Sequence, residues 1–312
     1  MKRITLFLNF LFLFAIAVNA TPAQRGVKRM LTLSNGEQVE AELVGDEFLS
    51  YWVTEDGKAY QFDSNIQAYQ AIDLEAAYAA ADKMRAKRDK EGVSMRAKMR
   101  KVKIGGSHID FTGKQRCLVI LVNYQDVTFS TSAARMNTMI NGPLTGVIQK
   151  RLYPGTVKQY FLDQSNNKFE LDFDVKGPYT ISQNQAYYGG DQSNYKDVNV
   201  RQMITEGVRA AINDGVDLSI YDWDKDGEAE MVYVIYAGEG QAAGGADDTV
   251  WPHKSSLGSQ AVTSNGVTVN NYACSSELQK NWAGSGTQTA GIATICHEFS
   301  HCLGLPDFYD TR

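Results

Sequence analysis

Short alternations of apolar and polar residues fill the stretch from 27 to 72, and two of the breaks between them carry hairpin chemistry. Asn35-Gly36 separates residues 30–33 from 39–43, and Glu55-Asp56-Gly57 separates 48–53 from 59–62. Four short strands joined by tight turns are predicted. From Asp73 to about Lys90 the pattern changes to Ala, Leu, Met and interleaved charge, which predicts a helix. A different texture begins near Thr112. Residues 117–123 and 231–236 are unbroken apolar runs, as in strands buried on both faces. Residues 169–175 read as a further strand, and 156–164 and 198–213 as helices. Strands alternating with helices predict an α/β sheet with a small β-rich unit ahead of it.

The amino terminus sets the compartment. Lys2 and Arg3 precede an apolar run over 4–18 broken only by Thr5 and Asn9, and Val18-Asn19-Ala20 supplies the small residues of a signal-peptidase site. That run is shorter than the ~20 residues a spanning helix needs, and no later stretch is apolar enough to span. Residues 1–20 are therefore expected to be a cleaved signal peptide, and the mature protein to be secreted or periplasmic with no membrane span.

Composition adds one surprise. At 43 % hydrophobic and 21 % charged, the chain is not collagen-like, of low complexity or wholly disordered. The net charge of −5 argues against a nucleic-acid-binding surface covering the protein. Yet residues 83–103 carry ten Lys/Arg against two Asp/Glu. These charges read either as the solvated face of a helix or as exposed basic residues in a flexible tether, which suit proteolytic release of a leading segment. With Gly105-Gly106 behind them, they divide the chain into a pro-segment over 21–106 and a second domain over 107–312. Four cysteines in an exported chain permit two disulfides. Cys296 and Cys302, about 9 Å apart along one helix, are too distant to bridge. Cys117, at the head of an apolar run, reads equally well as a free thiol, and the other pairings stay open.

The chemistry concentrates at Thr294-Ile-Cys-His297-Glu298-Phe-Ser-His301-Cys-Leu-Gly304-Leu-Pro-Asp307. On a helix, His297 and His301 project from one face and can grip a single Zn²⁺. Glu298 stands where it reaches a water beside the metal, as general base and then acid. Gly304 permits a sharp turn that would bring Asp307 back as third protein ligand, leaving the fourth position open. With four His in the chain, H-E-x-x-H arises by chance at roughly 0.003 per chain of this length. A second constellation, Asp222-x-Asp224-x-Asp226-Gly227-x-x-Glu230 with the Glu228 backbone carbonyl, has the alternating carboxylates of a Ca²⁺ loop. Tyr233 occupies the twelfth position, where an EF-hand needs an acid, and a strand follows. This predicts a calcium loop outside the EF-hand fold. His253 reads as a hydrogen-bonded structural residue, the glycines of 238–245 as a mobile surface loop, and 267–273 as a sheet edge able to pair with extended substrate.

His297 to Asp310, His-Glu-Phe-Ser-His-Cys-Leu-Gly-Leu-Pro-Asp-Phe-Tyr-Asp, resembles the zinc signature of the immune inhibitor A peptidases. The likeness extends upstream through Leu118-Val-Ile-Leu-Val-Asn-Tyr-Gln-Asp126, Tyr160-Phe-Leu-Asp-Gln-Ser165, Phe173-Asp-Val-Lys-Gly-Pro-Tyr179 and Val234-Ile-Tyr-Ala-Gly238 to Trp251-Pro-His253. It implies a secreted zinc-dependent endopeptidase acting on proteins or peptides and made as a zymogen. Its fold would be a metzincin-like (zincin) α/β catalytic domain with a twisted mixed sheet and an active-site helix. His297, His301 and Asp307 would bind zinc, with Glu298 as general base. The Met-containing turn of metzincins has no counterpart after Asp307, so the catalytic domain is expected to lack its C-terminal part. A secreted zinc- and calcium-binding protein, or an inactive truncated peptidase, is the alternative. Residues 21–107 hold neither Cys nor His, so latency would need a carboxylate, Asp46 or Glu47, or steric cover.

Overall fold

Five antiparallel strands follow one another from Lys28: β1 (Lys28–Thr32), β2 (Gln38–Gly45), β3 (Ser50–Thr54), β4 (Ala59–Asp63) and β5 (Ala68–Ala71), each paired with the next. The computed structural model describes residues 21–100, 112–143, 155–191, 196–281 and 285–305, with the backbone alone over 88–100. The expected signal peptide lies outside these residues. Both expected hairpins form, with Gly36 and Gly57 at φ 84° and 83°, a region open to glycine. The inner face of this sheet buries Leu31, Ala41, Leu43, Trp52, Tyr60 and Tyr69, and the cluster is completed by Ala242 and Trp251 from far down the chain. The small sheet therefore does not own a closed core; the following domain supplies part of it.

Helix α1 (Leu74–Arg100) continues well past the break expected near Lys90. The basic segment is thus helical to Arg100 rather than a flexible tether, because Ala, Lys, Arg, Met and Glu are strong helix formers and Gly92 alone opposes them. The Gly105-Gly106 linker lies outside the described residues. About three turns in, α1 is fixed to the sheet by a buried ion pair, Arg85 Nη2 to Asp46 Oδ2 at 2.5 Å. Asp46 also accepts from the amides of Phe48 and Leu49 at 2.9 and 3.0 Å. It is occupied inside its own unit and is not the latency carboxylate considered above.

The second unit is a mixed sheet flanked by helices. Its elements are β6 (Gly113–Asn123), α2 (Ala133–Asn141), α3 (Val157–Gln164), β7 (Phe169–Thr180), α4 (Gln185–Gly189), α5 (Val200–Asn213), β8 (Val232–Glu239), β9 (His253–Ser256), β10 (Val262–Ser264), β11 (Val267–Val269), β12 (Asn271–Lys280), β13 (Thr287–Thr289) and α6 (Ile292–Cys302). The strand order is β13-β12-β8-β6-β7, with β9 also on β12. The pairs β7/β6, β6/β8 and β8/β12 are parallel, whereas β9 and β13 run antiparallel to β12.

Alternation along the central strands explains why their sequences are apolar throughout. Leu118, Ile120 and Val122 of β6 face α5 with Val232, Val234 and Tyr236 of β8. Cys117, Val119 and Leu121 face the opposite layer, with α2, α3 and α6. Gly207 lets α5 approach closely, since a Cβ there would lie 2.9 Å from Val122 Cγ1.

Two expectations fail here for physical reasons. Residues 267–273 are not an open edge: Ala273 pairs with Tyr233 on one side and Lys254 on the other, and β11 is taken by β10. The glycine-rich loop is not a mobile surface loop either; Gly240, Gln241, Ala242, Gly244 and Gly245 are buried. Its turn is held by Gly245 N to Gly240 O at 3.0 Å and Thr249 Oγ1 to Ala246 O at 2.7 Å. All four cysteines are buried free thiols, and burial pushes Cys296 and Cys302 up to about 12, so neither is a nucleophile at neutral pH.

Candidate metal centre

Helix α6 is anchored by its apolar face. Ile295, Cys296, Phe299 and Cys302 enter the core, where Phe299 stacks on Tyr233 with centroids 5.4 Å apart and meets Phe173 edge-on at 5.2 Å. That anchoring fixes the rotation of the helix, and with it the aim of the residues between. His297 Nε2 and His301 Nε2 converge to 3.1 Å. Two nitrogens each ~2.0–2.1 Å from one tetrahedral ion would stand about 3.3 Å apart, so the pair fits a single zinc.

The turn after α6 orients the second histidine. Gly304, at φ 83°, closes it with Gly304 N to His301 O at 2.9 Å and Leu305 N to Ser300 O at 3.1 Å. This carries the Leu305 carbonyl to 2.7 Å from His301 Nδ1. Because a carbonyl only accepts, Nδ1 carries the proton and Nε2 presents its lone pair, the tautomer a metal requires. Asp307 lies outside the described residues.

Glu298 is fully buried. Its Oε1 accepts from Thr21 N at 2.9 Å and from Thr21 Oγ1 at 2.6 Å. Its Oε2, equally buried, has no hydrogen-bond partner among the described residues. A buried carboxylate oxygen without a donor is costly, and a polar group bound at it would satisfy it. The donor set, the spacing of the two Nε2 atoms and this orphaned oxygen together fit zinc.

Thr21 is held in place from the other side. Trp251 Nε1 donates to Thr21 O at 2.9 Å, and Gln24 N donates to Ala242 O at 2.7 Å. The described amino-terminal residues therefore lie along the 242–251 stretch and meet the Glu298 carboxylate at Thr21.

The acidic loop assembles much as its spacing predicts. Ligand atoms of Asp222, Asp224, Asp226 and Glu230 lie within 4.8 Å of one another, with Lys225 at φ 63° in the turn. The Glu228 carboxylate is not among them. Asp222 takes the amides of Asp226 and Gly227, both at 3.1 Å, and Glu230 takes that of Trp223 at 2.7 Å. Burial first, and then the neighbouring Asp224 and Asp222 charges, push the Glu230 carboxyl up to about 8. A group so disfavoured as an anion would be relieved by a cation. β8 follows the loop directly, as the sequence indicated.

The catalytic-domain model of the immune inhibitor A peptidase M6 family matches residues 114–312. The chain belongs to this family. It is 26 % identical over 231 residues to the immune inhibitor A of Bacillus thuringiensis subsp. alesti, covering 64 % of this chain and 34 % of that protein. It is 29 % identical over 179 residues to the pre-pro-metalloprotease PrtV of Vibrio cholerae serotype O1 (strain M66-2), covering 50 % of this chain and 19 % of that protein. The matches thus take in about a third and a fifth of these two relatives.

In this immune inhibitor A-type chain, sequence pattern singles out the histidines and Glu298 but not the groups that the structure sets against them. Thr21 is 277 residues from its partner, and nothing local marks it. Trp251 was visible only as part of Trp251-Pro-His253. His253 itself is structural, with Nδ1 2.7 Å from Trp251 O and Nε2 2.9 Å from Tyr272 Oη.

Proposed function

We propose that the chain carries the pro-segment and metzincin-like catalytic domain of an exported zinc endopeptidase, made as a zymogen. The observation behind this reading is the pair of imidazole Nε2 atoms 3.1 Å apart beside a buried carboxylate with one unpartnered oxygen. His297, His301 and Asp307 would hold the zinc. Bound there, zinc polarises a peptide carbonyl and acidifies a water it coordinates. Glu298 Oε2 takes the proton of the attacking water and returns it to the leaving amine. The Leu305 carbonyl keeps His301 in the ligating tautomer throughout. The core around Phe299 excludes water from behind, so the carboxylate works in a poorly solvated wall.

Processed protein should cleave denatured casein; chelation should stop cleavage, and returning Zn²⁺ should restore it. A processed protein that takes up one zinc per chain and leaves casein intact would be the metal-binding alternative instead. Among the described residues no helix is long and apolar enough to cross a membrane. Export is supported by the leader pattern of residues 1–20.

The amino-terminal sheet acts as the pro-segment by steric cover: it seats Thr21 on Glu298 and closes its own core with Ala242 and Trp251. Asp222, Asp224, Asp226 and Glu230, with the Glu228 carbonyl, form a Ca²⁺ site that stiffens the entry into β8. At about 100 times the dissociation constant, Ca²⁺ should add about 2.7 kcal/mol of stability. For a domain of this size that is a rise of about 5–10 °C in Tm. Asp224→Asn should remove most of the rise in a thermal melt; an equal rise in the variant would refute the site.

A further inference from the structure

The geometry points to a receptor for an arginine side chain on the catalytic domain. It is built from the Asp247 carboxylate and the Gly244 and Gly245 carbonyls. The pro-segment fills it with Arg29, and an extended protein substrate fills it once the pro-segment has left. The site stands on geometry; its use for substrate rests on the peptidase reading above.

Arg29 Nη1 donates to Asp247 Oδ2 at 2.7 Å, and Nη2 donates to Gly245 O at 2.7 Å and Gly244 O at 3.3 Å. Three acceptors from four consecutive residues thus meet one planar guanidinium, a pattern that suits the fork of arginine better than the point charge of lysine. The remaining side-chain donors to Asp247 are Tyr69 Oη and Trp52 Nε1. These also belong to the pro-segment. When it leaves, the carboxylate loses every side-chain donor it has among the described residues.

Hydrogen bonds within the catalytic domain brace this receptor. Gly245 N bonds Gly240 O, Thr249 Oγ1 bonds Ala246 O, and Gln241 Nε2 reaches Asp247 O at 3.3 Å. A Cβ on Gly245 would sit 2.8 Å from Thr249 Oγ1, so the bare backbone is what lets its turn close. The receptor is also linked to the general base by polypeptide already in position. From Glu298 the pro-segment runs through the Thr21 and Gln24 contacts to Val27, which packs in the cluster with Ala242 and Trp251, and then to Arg29. The receptor therefore reads a residue remote from the bond being cut. A cavity of ≈ 780 Å³ bordered by Arg29, Gly244, Asp247 and Lys280 gives a small molecule access to it.

Binding to the full chain tests the site without hydrolysis. Arg29→Ala should empty the receptor, and N-acetyl-arginine amide should then bind and raise the melting temperature, whereas wild type should show no such binding. Asp247→Asn in the Arg29→Ala chain should weaken binding about tenfold, and N-acetyl-lysine amide should bind about tenfold less tightly than the arginine probe. No binding to a folded Arg29→Ala chain, or binding that survives Asp247→Asn, overturns the receptor. On processed enzyme, peptides with Arg or Gln stepped away from the scissile bond should reveal one position where Arg lowers KM about tenfold at equal kcat. Asp247→Asn should abolish that KM ratio. Glu298-dependent hydrolysis with no such position overturns the substrate role. Absence of all hydrolysis counts against the peptidase reading, and the binding measurement then decides the receptor by itself.

Discussion

Glu298→Gln should lower casein hydrolysis by processed protein about 10³-fold while leaving its zinc content intact. Gln matches Glu in shape and keeps an oxygen acceptor where Thr21 binds in the uncut chain, so the buried wall survives the exchange. What is lost is the ability to take a proton, and a positioned general base contributes about 10²–10⁴-fold. The two imidazoles are untouched, since their aim comes from the core contacts of Phe299 and from the Leu305 carbonyl. Initial rates before and after the exchange, with zinc measured on the same samples by atomic absorption, give both numbers. His301→Ala should instead lose zinc and activity together. A Glu298→Gln enzyme retaining a tenth of the rate would remove Glu298 from the proton-transfer step.

The helix carrying these residues was legible because its information is local. A four-residue spacing places two side chains on one face of any helix, and Gly304 ends that helix wherever it sits. The two apolar runs, 117–123 and 231–236, were legible for a similar reason: a strand covered on both faces cannot alternate. Other features depend on partners. Whether 267–273 is an edge is decided by β8 and β9, and nothing within those seven residues records that both are present. The 238–245 loop has the glycines of a flexible segment, yet here Gly240 and Gly245 let the turn close on its own domain and Gly244 lets Val27 approach. β5 and α2 are not legible in the sequence because a four-residue strand and a nine-residue helix with mixed polarity carry too few periods to stand out. Contacts spanning more than two hundred residues, Thr21 on Glu298 and Arg29 on Asp247, leave no trace in any window of sequence.

The contact of Thr21 with Glu298 makes the second large prediction: uncut Trp52→Ala precursor should be about 100-fold more active than uncut wild type. On the proposed reading, Thr21 on Oε1 and the full burial of the carboxylate keep a peptide bond away from Glu298. Wild-type precursor can then act only in the small fraction of molecules whose amino-terminal sheet has lifted away. Trp52 is 3 % exposed in the cluster that joins this sheet to Ala242 and Trp251. It also lies beneath the Arg29 guanidinium at 4.5 Å and donates to Asp247. Truncating a buried Trp costs about 3–5 kcal/mol, and the lower figure already enlarges the open fraction about 100-fold. The loss falls on the amino-terminal sheet, because Trp52 is not part of the sheet that carries α6. Casein hydrolysis by uncut protein, with gels confirming that no cleavage has occurred, measures the leak. Glu298→Gln in the same chain should silence it, tying the activity to this site. Should uncut Trp52→Ala stay as silent as wild type while the cut protein is active, latency would have to come from a contact other than the seating of Thr21.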